Sequence, residues 1–301
     1  MDLVVLAAGL GSRYGGLKQL DPIGPGGELM LDYAVYDAVR AGARRAVFVI
    51  RPEMEADFHQ LWGRRYARSL EVAYAFQRLD DLPAGLVPPA GRTKPWGTGH
   101  AVWSAREVVS GPFLVANADD FYGAESYRVL ADFLDRPEPP GPVSYALAAF
   151  ELGKTLSEHG AVSRGVCTAS PEGFLVSVTE QTAIEALEGG GARARLPDGG
   201  EVRFSGREPV SLNLWGFQSA FFRQLETALT GFLAERGEDL KAEIYLPAVV
   251  DALVAAGEAT VKMLATPARW FGVTYRDDRE RVAGELARLT LEGEYPPRLF
   301  A

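Results

Sequence analysis

Cysteine is almost missing from this 301-residue chain. Cys167 stands alone, which excludes an intrachain disulfide framework and fits a reducing compartment. Lysine is scarce as well. Only Lys18, Lys94, Lys154, Lys241 and Lys262 are lysines among 31 basic residues, so each one merits inspection. No apolar run reaches the ~18 residues of a membrane span. The start, Met-Asp-Leu-Val-Val, lacks the basic segment of a secretory signal, so a cytoplasmic location is expected. Positive charge is in deficit: 40 acidic groups give a net charge of −9, which argues against a nucleic-acid or membrane-surface partner. What is present is an ordinary globular mix, 47% hydrophobic and 24% charged, with length for one large domain or two small ones.

The first half alternates strand and helix patterns. Apolar runs at 2–8, 46–50, 70–76, 113–116 and 143–150 suit buried strands, and helical stripes at 30–42, 53–68, 100–109 and 125–134 lie between them. This order predicts a three-layer, Rossmann-like α/β domain with a mostly parallel sheet. After Phe150 the pattern turns β-rich, with strands expected at 160–167, 173–178 and 209–217. A Gly- and Arg-rich stretch, 187–206, suits a long hairpin or flap. Helices at 221–235 and 240–256, a strand at 259–264 and a helix at 277–291 complete the expectation. The chain is expected to form one domain with a half at 1–150 and a second at 151–301.

The strongest local signal is Leu6-Ala-Ala-Gly-Leu-Gly-Ser-Arg-Tyr-Gly-Gly-Leu-Lys-Gln19, a strand running into a glycine-rich turn with two cations, Arg13 and Lys18. Glycines let backbone N–H groups approach an anion, and the cations neutralise it. A Walker A loop fails because Leu17-Lys18 follows Gly16, and a dinucleotide fingerprint fails because Tyr14 stands at its third glycine. A plain turn with surface charges is the alternative. Two further stretches point to the same crevice: Pro95-Trp-Gly-Thr-Gly-His-Ala101, which opens a helix, and Phe113-Leu-Val-Ala-Asn-Ala-Asp-Asp-Phe-Tyr-Gly123, where a buried strand ends at Asp119 and Asp120. Paired carboxylates there suit Mg²⁺ bridging phosphates, or simply cap the next helix.

Ala7-Ala-Gly-Leu-Gly-Ser-Arg13, followed by Lys18, resembles the signature of nucleotidyltransferases that join a sugar 1-phosphate to a nucleoside triphosphate. Its short spacer is closer to the molybdenum-cofactor guanylyltransferase, and Lys18-Gln19 is similar to the isoprenoid-pathway cytidylyltransferase. The resemblance implies that Ala8, Gly9, Gly11 and Ser12 bind nucleotide, that Arg13 and Lys18 are catalytic, and that Asp119 holds Mg²⁺. The Gly-Thr-Gly-His-Ala stretch resembles that of uridylyltransferases, which places Gly97, Thr98 and a base-reading Gln77 against uracil or thymine. Gln77 as a surface residue and Thr98 as a helix N-cap are the plainer readings.

On the acceptor side, Gly160, Glu180 and Asn213 match sugar- and phosphate-binding positions of the family. Two positions depart from it. Gln181 stands where the family has a phosphate-binding lysine, with Arg164, Lys262 and Arg269 as candidate replacements by charge alone. Gly272 stands where the family has a second metal-binding aspartate, with Asp120 or Asp277 as possible substitutes. Residues 183–210 look like an insertion. The implied reaction is attack of a sugar 1-phosphate on the α-phosphorus of UTP or dTTP, with pyrophosphate leaving. The departures keep two rivals open: an acceptor such as phosphocholine or a polyol phosphate, and a nucleotide-binding regulator that has lost turnover.

Overall fold

The computed structural model describes residues 1–9, 22–137, 140–196, 199–273 and 277–300. The first half runs β1 (Asp2–Leu6), α1 (Met30–Arg40), β2 (Arg45–Ile50), a broken helical stretch containing α2 (Glu55–Phe58) and α3 (Arg64–Tyr66), then β3 (Glu71–Phe76). It continues through α4 (Thr98–Trp103), β4 (Phe113–Asn117), the short β5 (Asp120–Phe121), α5 (Ala124–Leu134) and β6 (Val143–Glu151). Next come β7 (Val162–Ala169), β8 (Leu175–Ala186), β9 (Ala192–Arg195), β10 (Glu201–Phe204), β11 (Pro209–Ser211) and β12 (Trp215–Phe217). The chain ends with α6 (Phe221–Arg236), α7 (Leu246–Ala255), β13 (Ala259–Ala265), β14 (Phe271–Gly272) and α8 (Asp278–Leu291).

One twelve-stranded sheet has the order β10-β9-β8-β7-β11-β6-β12-β4-β1-β2-β3, with β13 paired to β6. Strands β4, β1, β2 and β3 are parallel neighbours. The apolar runs are buried on both faces because alternate side chains feed two cores. Leu3 and Val5 pack with Leu31, Val35 and Leu130 from α1 and α5, while Val4 packs with Val102, Leu225 and Val250 from α4, α6 and α7. Helix, sheet and helix thus form the expected three-layer α/β domain. Asp32 fixes the start of α1. It accepts from Leu29 N–H at 2.7 Å and from the Tyr66 hydroxyl at 2.5 Å, and it pairs with Arg65 at 2.8 Å.

Several elements differ from the sequence expectation. The stretch at 53–68 is not one helix: a 3-10 turn at Pro52–Met54 and a π-turn at His59–Gly63 interrupt it. The helix expected at 100–109 starts at Thr98 and ends at Trp103. The strand expected over 209–217 is two strands, broken at Asn213, whose φ of 63° turns the chain from β7 and β6 towards β4. The helix expected from 240 begins only at Leu246, with Pro247 in its first turn. Before it, the Ile244 backbone pairs with the 96–99 loop, which a helix would forbid. The 187–206 stretch contains the β9–β10 hairpin, which extends the sheet at its edge.

Candidate active site

Between β1 and β4 the sheet order reverses: β2 and β3 lie on one side of β1, and β4 on the other. In open parallel sheets the crevice outside the strand ends at such a point is where ligands bind. Leu6 pairs with Asn117 in register, so the segment Ala7–Gly9 and the pair Asp119–Asp120 emerge side by side from this edge. Ala8 is buried and Gly9 is exposed. A Cβ at Gly9 would meet nothing within 4 Å, so its value lies in open backbone, not in packing. Gly11, Ser12, Arg13 and Lys18 lie outside the described residues.

Asp119 is exposed at the crevice, and Asp120 is half-buried behind it. Asp120 accepts a hydrogen bond from Asn117 Nδ2 at 2.8 Å and lies 3.1 Å from the Tyr122 hydroxyl. Burial of the Asp120 carboxyl, and then the charge of Asp119, hold its pKa above the ordinary carboxylate range. The Tyr122 hydroxyl also accepts from Asn117 N–H at 3.2 Å and donates to Leu212 carbonyl at 2.8 Å. This tyrosine therefore ties the end of β4 to the turn that carries Asn213. No sequence pattern announced it.

Gln77, Gly97, Thr98 and His100 form a second connected group. Gln77 follows β3 and is 8% exposed, so it is not a surface glutamine. Its Nε2 donates to Gly97 carbonyl at 3.0 Å and lies 3.2 Å from His100 Nδ1. His100 is fully buried, and its Nε2 sits 2.7 Å from Asp81 carbonyl. That contact needs the proton on Nε2, which leaves Nδ1 as acceptor for Gln77. Burial lowers the His100 pKa, consistent with a neutral ring. The donor half of the Gln77 amide is thus spent within the protein.

Gly97 has φ of 103°, and a Cβ there would lie 2.5 Å from Ile244 carbonyl oxygen. Only glycine suits both the backbone angle and the close approach. Thr98 is not the N-cap of its own helix; Gly97 holds that position. Its hydroxyl instead accepts from Leu246 N–H at 2.9 Å, at the start of α7. Arg92, which sequence reasoning passed over, is a buried strut for this loop. It donates to Asp239 and Ala242 carbonyls at 2.9 and 2.6 Å, and stacks 3.3 Å above the Trp96 ring.

Gly160, Glu180 and Asn213 lie on the β-rich half. Gly160 precedes β7, exposed Glu180 pairs with Gly165 across the β7–β8 ladder, and Asn213 Oδ1 accepts from Trp215 Nε1 at 3.4 Å. Arg164 is 7% exposed, with its guanidinium 4.6 Å from the Trp270 ring. Burial lowers its pKa to about 10, and the nearby charges of Asp120, Glu180 and Asp278 oppose that shift. Of the other candidates, Lys262 packs 4.6 Å from the Phe174 ring, and Arg269 pairs with Glu285 at 3.5 Å. Asp277 is the N-cap residue of α8.

Residues 3–148 match the family described as nucleotidyl transferase. This segment is a nucleotidyl transferase domain. It holds β1, the glycine-rich stretch of the sequence, Gln77, the Gly97–Thr98 loop and the aspartate pair. No curated protein sequence matches the chain. Among solved structures, the inositol-1-phosphate CTP transferase from T. maritima superposes with a TM-score of 0.60 at 13% identity, covering 96% of each chain. A structure described as a glucose-1-phosphate thymidylyltransferase from Bacillus anthracis, in complex with a sucrose, superposes with a TM-score of 0.62 at 13% identity, covering 95% of each chain. At this identity the likeness is one of fold, and it extends beyond the nucleotidyl transferase domain over the β-rich half. Among the described residues no helix is long and apolar enough to cross a membrane.

Proposed function

We propose that the protein transfers a nucleoside monophosphate from a nucleoside triphosphate to a phosphorylated acceptor, a sugar 1-phosphate, with release of pyrophosphate. The observation that carries this reading is that Ala7–Gly9, which opens the glycine-rich stretch, and the Asp119–Asp120 pair leave neighbouring strands at the reversal point of the sheet, within the segment that matches the nucleotidyl transferase family. The half at 1–150 binds the nucleotide, through Ala8, Gly9, Gly11 and Ser12 at the phosphates and Gln77, Gly97 and Thr98 at the base. Arg13 and Lys18 neutralise the triphosphate. The half at 151–301 binds the acceptor, through Gly160, Glu180 and Asn213. In-line attack by an acceptor phosphate oxygen needs no covalent intermediate with the protein, so catalysis is positioning and charge neutralisation.

Mg²⁺ fits the donor set as a shared ion. Among the described residues no group of three or more His, Cys, Asp or Glu side chains could hold a metal alone. Mg²⁺ is commonly held by one or two carboxylates together with substrate phosphates, and exposed Asp119 supplies such an oxygen. The ion would supply charge neutralisation at the reacting phosphates.

A uracil or thymine base suits Gln77, because its amide nitrogen is engaged by Gly97 and His100, its oxygen is an acceptor, and those bases present an N3–H donor. A second reading, CTP with a polyol phosphate as acceptor, is favoured by the fold shared with the inositol-1-phosphate CTP transferase. Pyrophosphate release with four triphosphates and a panel of glucose 1-phosphate, inositol 1-phosphate and phosphocholine separates the two. UTP or dTTP with the sugar phosphate supports the first reading; CTP with the polyol phosphate replaces it with the second.

A further inference from the structure

Arg164 is a buried cation whose three hydrogen bonds all go to uncharged oxygens. Nε donates to Thr155 Oγ1 at 3.1 Å, Nη1 to Ser163 carbonyl at 2.7 Å, and Nη2 to Thr155 carbonyl. A guanidinium has five N–H groups. Among the described residues, one N–H on each terminal nitrogen is left over. Arg164 keeps 7% of its surface exposed, and its neighbour Ser163 is exposed.

Four local features hold the group in place. A β-bulge separates the register pairs Val162–Ile184 and Arg164–Gln181, with the extra residue on β8. Ala183 within it takes φ of 54°, a conformation that costs a non-glycine residue about 1 kcal/mol or more. Bulges next to sites re-aim side chains. Trp270 then supplies a flat face 4.6 Å from the guanidinium. Gly272 lets that ring lie down, because a Cβ there would sit 2.4 Å from Trp270 Cζ2. The indole Nε1 of the same ring is a buried donor with no hydrogen-bond partner among the described residues.

Resting on the transferase reading above, we propose that Arg164 is the cation that binds the phosphate of the acceptor, and that Trp270 and Gly272 exist to position it. A fork of two N–H groups matches two oxygens of a phosphate. The location agrees. Arg164 lies in the fields of Asp120 on β5, Glu180 on β8 and Asp278 at the start of α8. Its register partner is Gln181, so the positive charge belongs to the neighbouring strand of the same ladder. The two sequence departures, glutamine at 181 and glycine at 272, become parts of one arrangement: Gly272 admits Trp270, and Trp270 carries the cation.

The test is calorimetric titration of inorganic phosphate and of glucose 1-phosphate into the full chain already saturated with a non-hydrolysable triphosphate. Wild type should bind both probes. Arg164→Met should weaken both at least tenfold while nucleotide affinity stays within twofold, and Arg164→Lys should recover part of the loss. Gln181→Glu, which places a negative charge at the register partner without emptying the buried site, should weaken them several-fold; it decides the matter if Arg164→Met does not fold. Unchanged probe affinity in folded Arg164→Met, with nucleotide still bound, overturns the assignment and leaves the transferase reading standing. Absence of nucleotide binding and turnover in wild type overturns the transferase reading itself.

Discussion

Thr98 and Leu246, 148 residues apart, are joined by a 2.9 Å hydrogen bond from the Leu246 N–H to the Thr98 hydroxyl. The first N–H groups of a helix lack partners within it, so this hydroxyl caps α7 from outside. The same loop donates from Gly99 N–H to the Ile244 carbonyl and accepts at the Trp96 carbonyl from Ile244 N–H. The base-side loop is therefore braced by the segment that precedes α7.

Thr98→Val keeps the shape and removes the acceptor. It should cost about 1–2 kcal/mol of stability, as for a buried donor left unpaired. Thr98→Ser should recover most of that. Urea denaturation of the three proteins checks the expectation, and equal midpoints for Val and Thr would contradict it.

Gly97→Ala combines a disfavoured backbone angle with a Cβ 2.5 Å from a carbonyl oxygen. It should destabilise the fold by about 2 kcal/mol or more. It should also displace the loop and raise KM for the nucleotide more than KM for the acceptor. Gly9→Ala is the contrast: its Cβ meets nothing within 4 Å, so thermal stability should hardly change while nucleotide binding weakens.

Asp119→Asn should lower kcat by about 10²–10³ with little change in melting temperature, because the residue is exposed and the proposed reaction has it act, through the metal, on developing phosphate charge. Turnover near wild type at saturating Mg²⁺ would remove Asp119 from the metal site. The companion assay is Mn²⁺ binding followed by electron paramagnetic resonance, which should weaken in the same variant.

Asp37 predicts a pH dependence of stability. It is fully buried on α1, accepts from the Tyr295 hydroxyl at 2.8 Å, and its pKa is pushed up to about 8 by burial. The unfolded value is about 3.9, so the folded state holds the proton more tightly. That contribution is full below pH 4 and is lost as pH rises towards 8. The melting temperature of wild type should fall between pH 5 and pH 8 by more than that of Asp37→Asn. Parallel curves for the two proteins would show that the carboxyl is ionised throughout.

Much of the first half of the chain was legible because its signals are local. The strands β1, β2 and β4 are short apolar runs bounded by turns, and a parallel sheet buries them on both faces. The glycine turn and the aspartate pair follow such strands directly, so their shared edge could be inferred. The start of α7 was not legible, since the pairing of Ile244 with Trp96 and Gly99 outweighs the helical pattern of 240–245. Nor was the setting of Arg164. Its relation to Gln181, Trp270 and Gly272 depends on a bulge and on strand register, which a single sequence does not encode in any local pattern. Tyr122 reaches Leu212 across 90 residues for the same reason.

The central claim is nucleotidyl transfer, and the most direct measurement is the product itself. The chain is incubated with Mg²⁺, a nucleoside triphosphate and glucose 1-phosphate or inositol 1-phosphate. Pyrophosphate is assayed, and the nucleotide product is weighed by mass spectrometry. The account predicts one pyrophosphate per nucleotide-linked acceptor, strict dependence on the acceptor, and loss of both products in Lys18→Ala. Triphosphate that binds but never yields pyrophosphate with any phosphorylated acceptor would contradict it and leave a nucleotide-binding protein without turnover.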